Sequence, residues 1–116
     1  MLGSEKMSII EATAETWDSV ISNKEKPVMT MFYMETCPHC EKMKPVFADL
    51  DQKYSDKVSF ARINAMDYLD ITKRYGIVAA PGFKFFKNGN LLNDDNDSMK
   101  PEQLEQIASD LAGGKL

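Results

Sequence analysis

The sequence is poor in cysteine, in basic residues and in long apolar runs, and each shortage excludes a class of protein. Its 116 residues include 2 cysteines, too few for the disulfide framework of a small secreted domain. The 14 basic residues face 18 acidic ones, and the net charge of −4 provides no basic patch for nucleic-acid phosphates. The most apolar stretch, residues 28–34, is far shorter than the about 20 residues of a membrane-spanning helix. We therefore expect neither a nucleic-acid partner nor a membrane partner.

Composition and the first residues bear on domain organisation and compartment. Hydrophobic residues make up 43% of the chain and charged residues 28%, which is typical of a globular domain. We predict a flexible N-terminus at residues 1–7, a single domain over residues 8–112 and a flexible C-terminus at residues 113–116. Residues 1–7 lack the basic and apolar regions of an export signal, which favours a cytoplasmic protein. An extracytoplasmic protein whose export signal has been removed is the alternative.

Strands and helices are predicted to alternate along the domain. The apolar run at residues 28–34 indicates a strand buried on both faces, and a helical stripe of apolar residues follows over residues 37–54. The pair Asn88-Gly89 predicts a type I′ hairpin. The remaining predicted elements are strands at 8–12, 58–63, 83–86 and 91–92, and helices at 13–21, 67–75 and 101–112, with Thr13 and Asp67 as N-caps.

This order, β-α-β-α-β-α-β-β-α, predicts the fold class. Strands separated by helices pair in parallel, whereas the hairpin adds an antiparallel edge. We therefore predict an α/β fold of three layers, with a central mixed sheet of four to five strands covered on both faces by about four helices.

The two cysteines form the motif Cys37-Pro38-His39-Cys40 between the buried strand and the second helix. The thiolate is the nucleophilic form of cysteine, and the N-terminus of a helix stabilises negative charge. The spacing allows Cys40 to reach a disulfide formed at Cys37. We interpret Cys37 as the attacking thiol and Cys40 as the resolving thiol of a redox pair.

Two other interpretations of the pair stay open. A structural zinc site needs four ligands, and His39 lies between the cysteines, where it cannot easily complete their ligand set. A zinc half-site completed by a second subunit is therefore one alternative. Two inert buried cysteines are the other.

Several motifs, in order, resemble the thioredoxin family, and the resemblance extends from about residue 8 to residue 112. They are Cys37-Pro38-His39-Cys40, Pro45, Tyr75-Gly76-Ile77, and Ala80-Pro81 before the segment 83–89. The resemblance implies a thioredoxin fold in which Pro45 kinks the long helix and Pro81 is a cis-proline against the cysteine pair. Ala80 and Pro81 would then present the backbone of the substrate. An ordinary trans turn proline is the alternative for Pro81.

The dipeptide Pro38-His39 differs from the Gly-Pro that is usual in thioredoxins and is similar to that of the periplasmic disulfide-oxidase family. A positively charged His39 would favour the Cys37 thiolate and make the disulfide more oxidising. We therefore expect the Cys37–Cys40 pair to have a reduction potential less negative than that of thioredoxin, which is about −270 mV. A solvated His39 with little electrostatic effect is the alternative.

Two further departures concern acidic residues. Thioredoxins carry a buried acidic residue six positions before the first cysteine, and this residue is thought to help deprotonate the second cysteine. In this sequence the position is occupied by Met31. Glu35 is a candidate substitute, although we expect it to face water. The polar run at residues 93–98 is poor strand material, and its Asp97 occupies the position of a family glycine. This run is either an acidic rim that attracts basic partners or a solvated turn.

From the residues and the resemblance together, we expect a protein thiol–disulfide oxidoreductase, and specifically a disulfide reductase. It would need no cofactor and no metal beyond the redox-active disulfide Cys37–Cys40, and it would act as a monomer. The expected partners are protein disulfides and dithiols, and a thioredoxin-reductase-like or other dithiol protein that recycles it. The alternatives are a disulfide oxidase or isomerase, if the protein is exported, and a thioredoxin-fold binding or adaptor module.

Overall fold

A five-stranded sheet with helices on both faces forms the computed structural model, which describes residues 8–93 and 99–116. The predicted N-terminal segment and most of the acidic run, residues 94–98, lie outside the described residues. The elements in chain order are β1 Ile10–Glu11, α1 Trp17–Ile21, β2 Val28–Tyr33, α2 Pro38–Tyr54, β3 Ser59–Asn64, α3 Leu69–Arg74, β4 Gly82–Lys87, β5 Asn90–Leu91 and α4 Pro101–Ala112.

The sheet has the strand order β1-β3-β2-β4-β5. Strand β3 runs parallel to β1 and β2, whereas β4 runs antiparallel to β2 and β5. The mixed sheet and the three-layer α/β/α class are therefore as predicted. Near the end of β2, Phe32 pairs with Gly82, the first residue of β4. This register brings the residues that follow β2 beside those that precede β4.

The central strand β2 supplies side chains to two hydrophobic cores. Met29 and Met31 belong to the core that includes residues of α2 and α4, and Val28 and Phe32 belong to the core that includes residues of α1 and α3. Residues 28–32 are all buried, so the prediction of a strand buried on both faces is confirmed. Alternation along a strand sends neighbouring side chains to opposite faces, which explains the division.

The α1/α3 core is centred on Trp17, which is 1% exposed. Its ring lies edge to face with Phe32 and Phe86, at centroid distances of 5.5 and 5.9 Å. The indole N–H donates a hydrogen bond of 3.1 Å to the hydroxyl of Tyr75. The apolar surface of the buried indole therefore packs against aromatic rings, and its N–H group has a hydrogen-bond partner.

Helix α2 begins where the cysteine motif predicted. Cys37 is the N-cap and Pro38 is the first helical residue, a position where the missing N–H of proline costs no hydrogen bond. The predicted apolar stripe is buried at Met43, Phe47 and Leu50. Pro45 lies inside the helix.

The predicted N-cap of the first helix is wrong. Helix α1 begins at Trp17 rather than directly after Thr13. The N–H of Thr13 donates to the hydroxyl of Thr16 at 2.9 Å, and the N–H of Thr16 donates to that of Thr13 at 3.3 Å. These local bonds between side chain and backbone stabilise a turn, which competes with the helix.

The predicted N-cap of the third helix is also wrong. Helix α3 begins at Leu69, and Asp67 does not cap it. The side-chain oxygen of Asn64 accepts the N–H groups of Met66 and Asp67 at 3.0 and 3.3 Å. This turn after β3 delays the helix, because it holds the chain in a non-helical conformation.

The hairpin prediction is confirmed at Asn88-Gly89. Both residues have positive φ, 54° and 81°, as a type I′ turn requires. The short strand that follows begins at Asn90, one residue earlier than predicted. Among the described residues, no helix is both long enough and apolar enough to cross a membrane.

Candidate active site

Cys37 lies at the junction between β2 and α2, in an extended conformation at the helix N-cap. Its sulfur accepts a hydrogen bond of 3.1 Å from the backbone N–H of Cys40. Its side chain is 8% exposed, so a small part of it reaches the surface. The unpaired N–H groups of the first helical turn favour negative charge on this sulfur.

The backbone at Ala80 lies directly against Cys37. The Cys37 thiol donates to the carbonyl oxygen of Ala80 across 3.6 Å. The Ala80-Pro81 peptide bond is cis, as the resemblance implied. The structure thus brings together four residues that sequence reasoning selected, from two distant segments of the chain: Cys37, Cys40, Ala80 and Pro81.

The second thiol of the pair is fully buried. Cys40 has an exposed fraction of 0%, and both cysteines are free thiols. Burial, together with the Cys37 thiol, raises the pKa of the Cys40 thiol to about 11. A hydrogen bond from the backbone of Met34 and the positive charge of Lys44 act in the opposite direction on this pKa. Cys40 therefore remains a protonated thiol over the neutral pH range.

Pro38 and His39, the two residues between the cysteines, are exposed at the start of α2. His39 lines an open groove of about 440 Å³ whose other wall includes Ala80 and Pro81. His39 therefore lies where a molecule bound beside Pro81 would meet it.

The position of the expected buried acid is apolar and closed. Met31 is 1% exposed, and Glu35 faces water as predicted. Among the described residues Asp51 is the sole buried carboxylate, and its oxygen accepts the N–H of Ser8 at 2.8 Å. Asp51 lies eleven residues beyond Cys40 in α2, about 16 Å along the helix. It cannot accept a proton from Cys40.

Sequence reasoning missed an apolar pocket on the other side of Ala80. This pocket of about 210 Å³ is lined by Met34, Met66, Leu69 and Val78, among others. Met66, Leu69 and Val78 are 60%, 47% and 93% exposed, so three large apolar side chains meet water at one place. Met66 and Leu69 lie before and at the start of α3, whereas Val78 follows that helix, and no local motif reveals their proximity.

Four methionines lie near the motif in the sequence. Met29, Met31 and Met43 are buried core residues. Met34 is half-buried, packs against the α1/α3 core and also lines the apolar pocket.

A charged surface cluster around Tyr33 was also missed. The Tyr33 hydroxyl donates to Glu11 at 2.6 Å, and Arg62 forms an ion pair with the same carboxylate at 2.6 Å. Burial, followed by the hydrogen bond to Glu11, raises the pKa of Tyr33 to about 12. The cations of Lys44 and Arg62 lie 5.6 and 5.4 Å from the centre of its ring, within the range of a cation–π interaction.

A zinc half-site is one alternative for the cysteine pair. Within residues 8–93 and 99–116, no three His, Cys, Asp or Glu side chains are grouped so that they could hold a metal ion.

Comparisons with known proteins agree with this geometry. A family model described as Thioredoxin matches residues 8–110. The chain is 34% identical over 104 residues to the chloroplastic Thioredoxin Y of Oryza sativa subsp. japonica, which covers 89% of this chain and 62% of that protein. It is 33% identical over 92 residues to Protein disulfide isomerase-like 2-1 of the same plant, which covers 78% of this chain and 25% of that protein.

A solved structure extends the likeness to three dimensions. The thioredoxin of Malassezia sympodialis (Mala s 13) is similar to this chain with a TM-score of 0.80 and 26% sequence identity. The similarity covers 92% of this chain and 93% of that one. In contrast, the chain spans only 62% and 25% of the lengths of the two curated plant relatives.

The difference between the two thiols predicts their reactivity. In the reduced protein at pH 8, iodoacetamide should modify Cys37, whereas Cys40 should stay unmodified, because a thiol with a pKa of about 11 is ionised in about one molecule in a thousand. Modification of Cys40 should rise about tenfold per pH unit between pH 8 and 10. Fragmentation mass spectrometry of the peptide that contains both cysteines would locate the label. Equal labelling of both cysteines at pH 8 would contradict the prediction.

Proposed function

The chain belongs to the thioredoxin family, and from this premise we propose that it exchanges disulfides with other proteins through Cys37 and Cys40. One observation carries the proposal: the Cys37 sulfur lies at a helix N-terminus, 3.1 Å from the N–H of Cys40 and 3.6 Å from the carbonyl oxygen of Ala80. A nucleophile, a resolving thiol and a backbone edge for the substrate are thus next to one another.

In the proposed reaction, the Cys37 thiolate attacks one sulfur of a substrate disulfide. A mixed disulfide forms between Cys37 and that sulfur, and the other substrate sulfur leaves as a thiolate. Cys40 then loses its proton and attacks the Cys37 sulfur, so the Cys37–Cys40 disulfide forms and the second substrate thiolate leaves. The substrate gains two electrons and this protein loses two. No bound cofactor takes part.

We propose that electrons flow from this protein to the substrate, which makes it a disulfide reductase. One of the relatives is a thioredoxin by name, which supports this direction. A thioredoxin-reductase-like or other dithiol protein would recycle the oxidised form, and the protein would work as a monomer. A reducing compartment such as the cytoplasm suits this direction, because the pair must be kept reduced there.

We assign a binding role to the backbone around Ala80 and to the apolar pocket beside it. A substrate segment attached to Cys37 must pass along Ala80 and Pro81, because these residues lie against the reactive sulfur. The pocket of about 210 Å³ is smaller than the about 300 Å³ at which sites for organic ligands begin. It suits one apolar side chain of the substrate protein, near its reacting cysteine.

Substitution of the two cysteines tests the chemistry. Cys37→Ser should reduce insulin no faster than dithiothreitol alone, because the attacking thiolate is gone. Cys40→Ser should instead accumulate a mixed disulfide with a protein substrate, since the resolving thiol is missing, and non-reducing electrophoresis would detect it. If Cys37→Ser still captures partners and supports the protein's function in cells, the binding-module alternative holds instead.

We propose that His39 makes the reduction potential of the Cys37–Cys40 pair less negative. Equilibration with glutathione should give the protein a potential less negative than about −270 mV. His39→Ala should move it by about 10–20 mV in the negative direction, since an exposed charge has a modest effect. His39→Lys places a permanent positive charge at this position and serves as the control. A potential at or below that of thioredoxin would contradict the assignment and exclude a disulfide-oxidase role.

The apolar pocket can be tested at its most exposed residue. Val78→Asp should lower kcat/KM for insulin by about threefold to tenfold, the value of one apolar contact of 1 kcal/mol or slightly more. Reduction of a small disulfide such as cystine should be unchanged. The matched control is Leu92→Asp, which places the same charge at an exposed apolar residue beside β5. Equal losses in both variants would show that the pocket has no specific role.

A further inference from the structure

The resolving step presents a physical difficulty in this protein. Cys40 is fully buried, and attack on the Cys37 sulfur requires it to become a thiolate. A buried negative charge is costly unless a nearby positive charge or hydrogen bond compensates it. Met31 offers neither, and the buried Asp51 lies at the other end of α2. A compensating group must therefore approach Cys40 from the solvent side.

Lys44 is placed on that side. It lies one helical turn after Cys40, and residues four apart on a helix lie about 6 Å apart at their Cβ atoms. Its ammonium is held by two contacts, an ion pair of 2.9 Å with Glu41 and a position 5.6 Å from the centre of the Tyr33 ring. Tyr33 directly precedes Met34, whose backbone donates a hydrogen bond to Cys40. The ring thus keeps the cation close to Met34, the residue after β2 whose backbone contacts the buried sulfur.

The other charged groups around the site form other interactions or carry negative charge. Arg62 from β3 also lies over the Tyr33 ring, but it forms an ion pair with Glu11 from β1. Glu35, after β2, is exposed and adds negative charge, and so does Glu41 on α2. The first residues of β4 next to Pro81 are Gly82 and Phe83, which carry no charge. His39, which directly precedes Cys40, and Lys42 are exposed on α2. Lys44 is the cation whose charge lowers the pKa of Cys40.

We propose that Lys44, held over the Tyr33 ring, is a positioning residue for the resolving step that stabilises the Cys40 thiolate as it attacks Cys37. The inference rests on the proposed function. In this step the Cys40 proton passes to water, the S–S bond between Cys40 and Cys37 forms, and the bond between Cys37 and the substrate sulfur breaks. The substrate sulfur leaves as a thiolate with the electron pair of that bond. Lys44 keeps its proton throughout and acts only through its charge.

Stopped-flow reaction of the reduced protein with excess 5,5′-dithiobis(2-nitrobenzoate) isolates this step. Cys37 releases the first coloured thiolate, and attack by Cys40 on the mixed disulfide releases the second. The rate of the second phase is measured against pH. Lys44→Met should slow it by about threefold to tenfold at pH 7 and move the midpoint of the profile upward by about half a unit to one unit, as expected for loss of a partly screened charge. Lys44→Arg should restore the rate to within about twofold of the original.

Two variants make the test specific to the charge at this place. Lys53→Met is the matched control, since Lys53 also lies on α2, 5.6 Å from a tyrosine ring and in an ion pair with a glutamate, but far from Cys40. Glu41→Gln should shift the profile in the opposite direction, because it removes the anion that neutralises part of the Lys44 charge. High salt should shrink the difference between Lys44→Met and the unaltered protein.

The outcomes separate this inference from the function on which it rests. Release of two thiolates per chain, with a second phase whose rate is independent of the reagent concentration and responds to Lys44 and Glu41 in opposite directions, supports both. A profile of Lys44→Met that superimposes on that of the unaltered protein, or an equal shift in Lys53→Met, overturns the role of Lys44 alone. Release of a single thiolate by the unaltered protein means that Cys40 does not resolve, and the proposed function then fails as well.

Discussion

The pairing of β2 with β3 on one side and β4 on the other is the constraint on which the rest of the structure depends. Because β2 is central and buried on both faces, its end is held rigidly, and helix α2 starts from a defined point. The same pairing joins Phe32 to Gly82 and so brings Ala80 to the Cys37 sulfur. The backbone hydrogen bonds of the buried central strands therefore determine the geometry of the reactive centre.

The two thiols of the site have different electrostatic surroundings. Cys37 lies at the N-terminus of α2, with the backbone N–H of Cys40 beside its sulfur. Cys40 is fully buried, and Met31 occupies the position where the family resemblance implies an acid. Surface charge then becomes important for a buried atom, because Lys44 lies one helical turn from Cys40 and over the Tyr33 ring. A substitution on the surface can thus alter chemistry in the interior.

Local sequence patterns correctly predicted those features of the fold that depend on local interactions. The stripe of Met43, Phe47 and Leu50 predicted α2, and the motifs around Cys37 and Pro81 predicted which residues would meet. The starts of α1 and α3 were mispredicted, since bonds from the side chains of Thr16 and Asn64 hold the chain in turns that propensity alone does not reveal. The apolar pocket could not be foreseen, because Met66 and Val78 meet only through tertiary packing. The same holds for Lys44 and Tyr33, which lie on different elements.

The sole tryptophan, Trp17, lies in the α1/α3 core, whose members include neither cysteine. Its aromatic neighbours and the hydroxyl of Tyr75 surround it on the opposite side of the sheet from the core that packs against α2. Indole fluorescence is therefore an intrinsic reporter of the packing of this layer. It allows unfolding of the protein to be followed with no label attached.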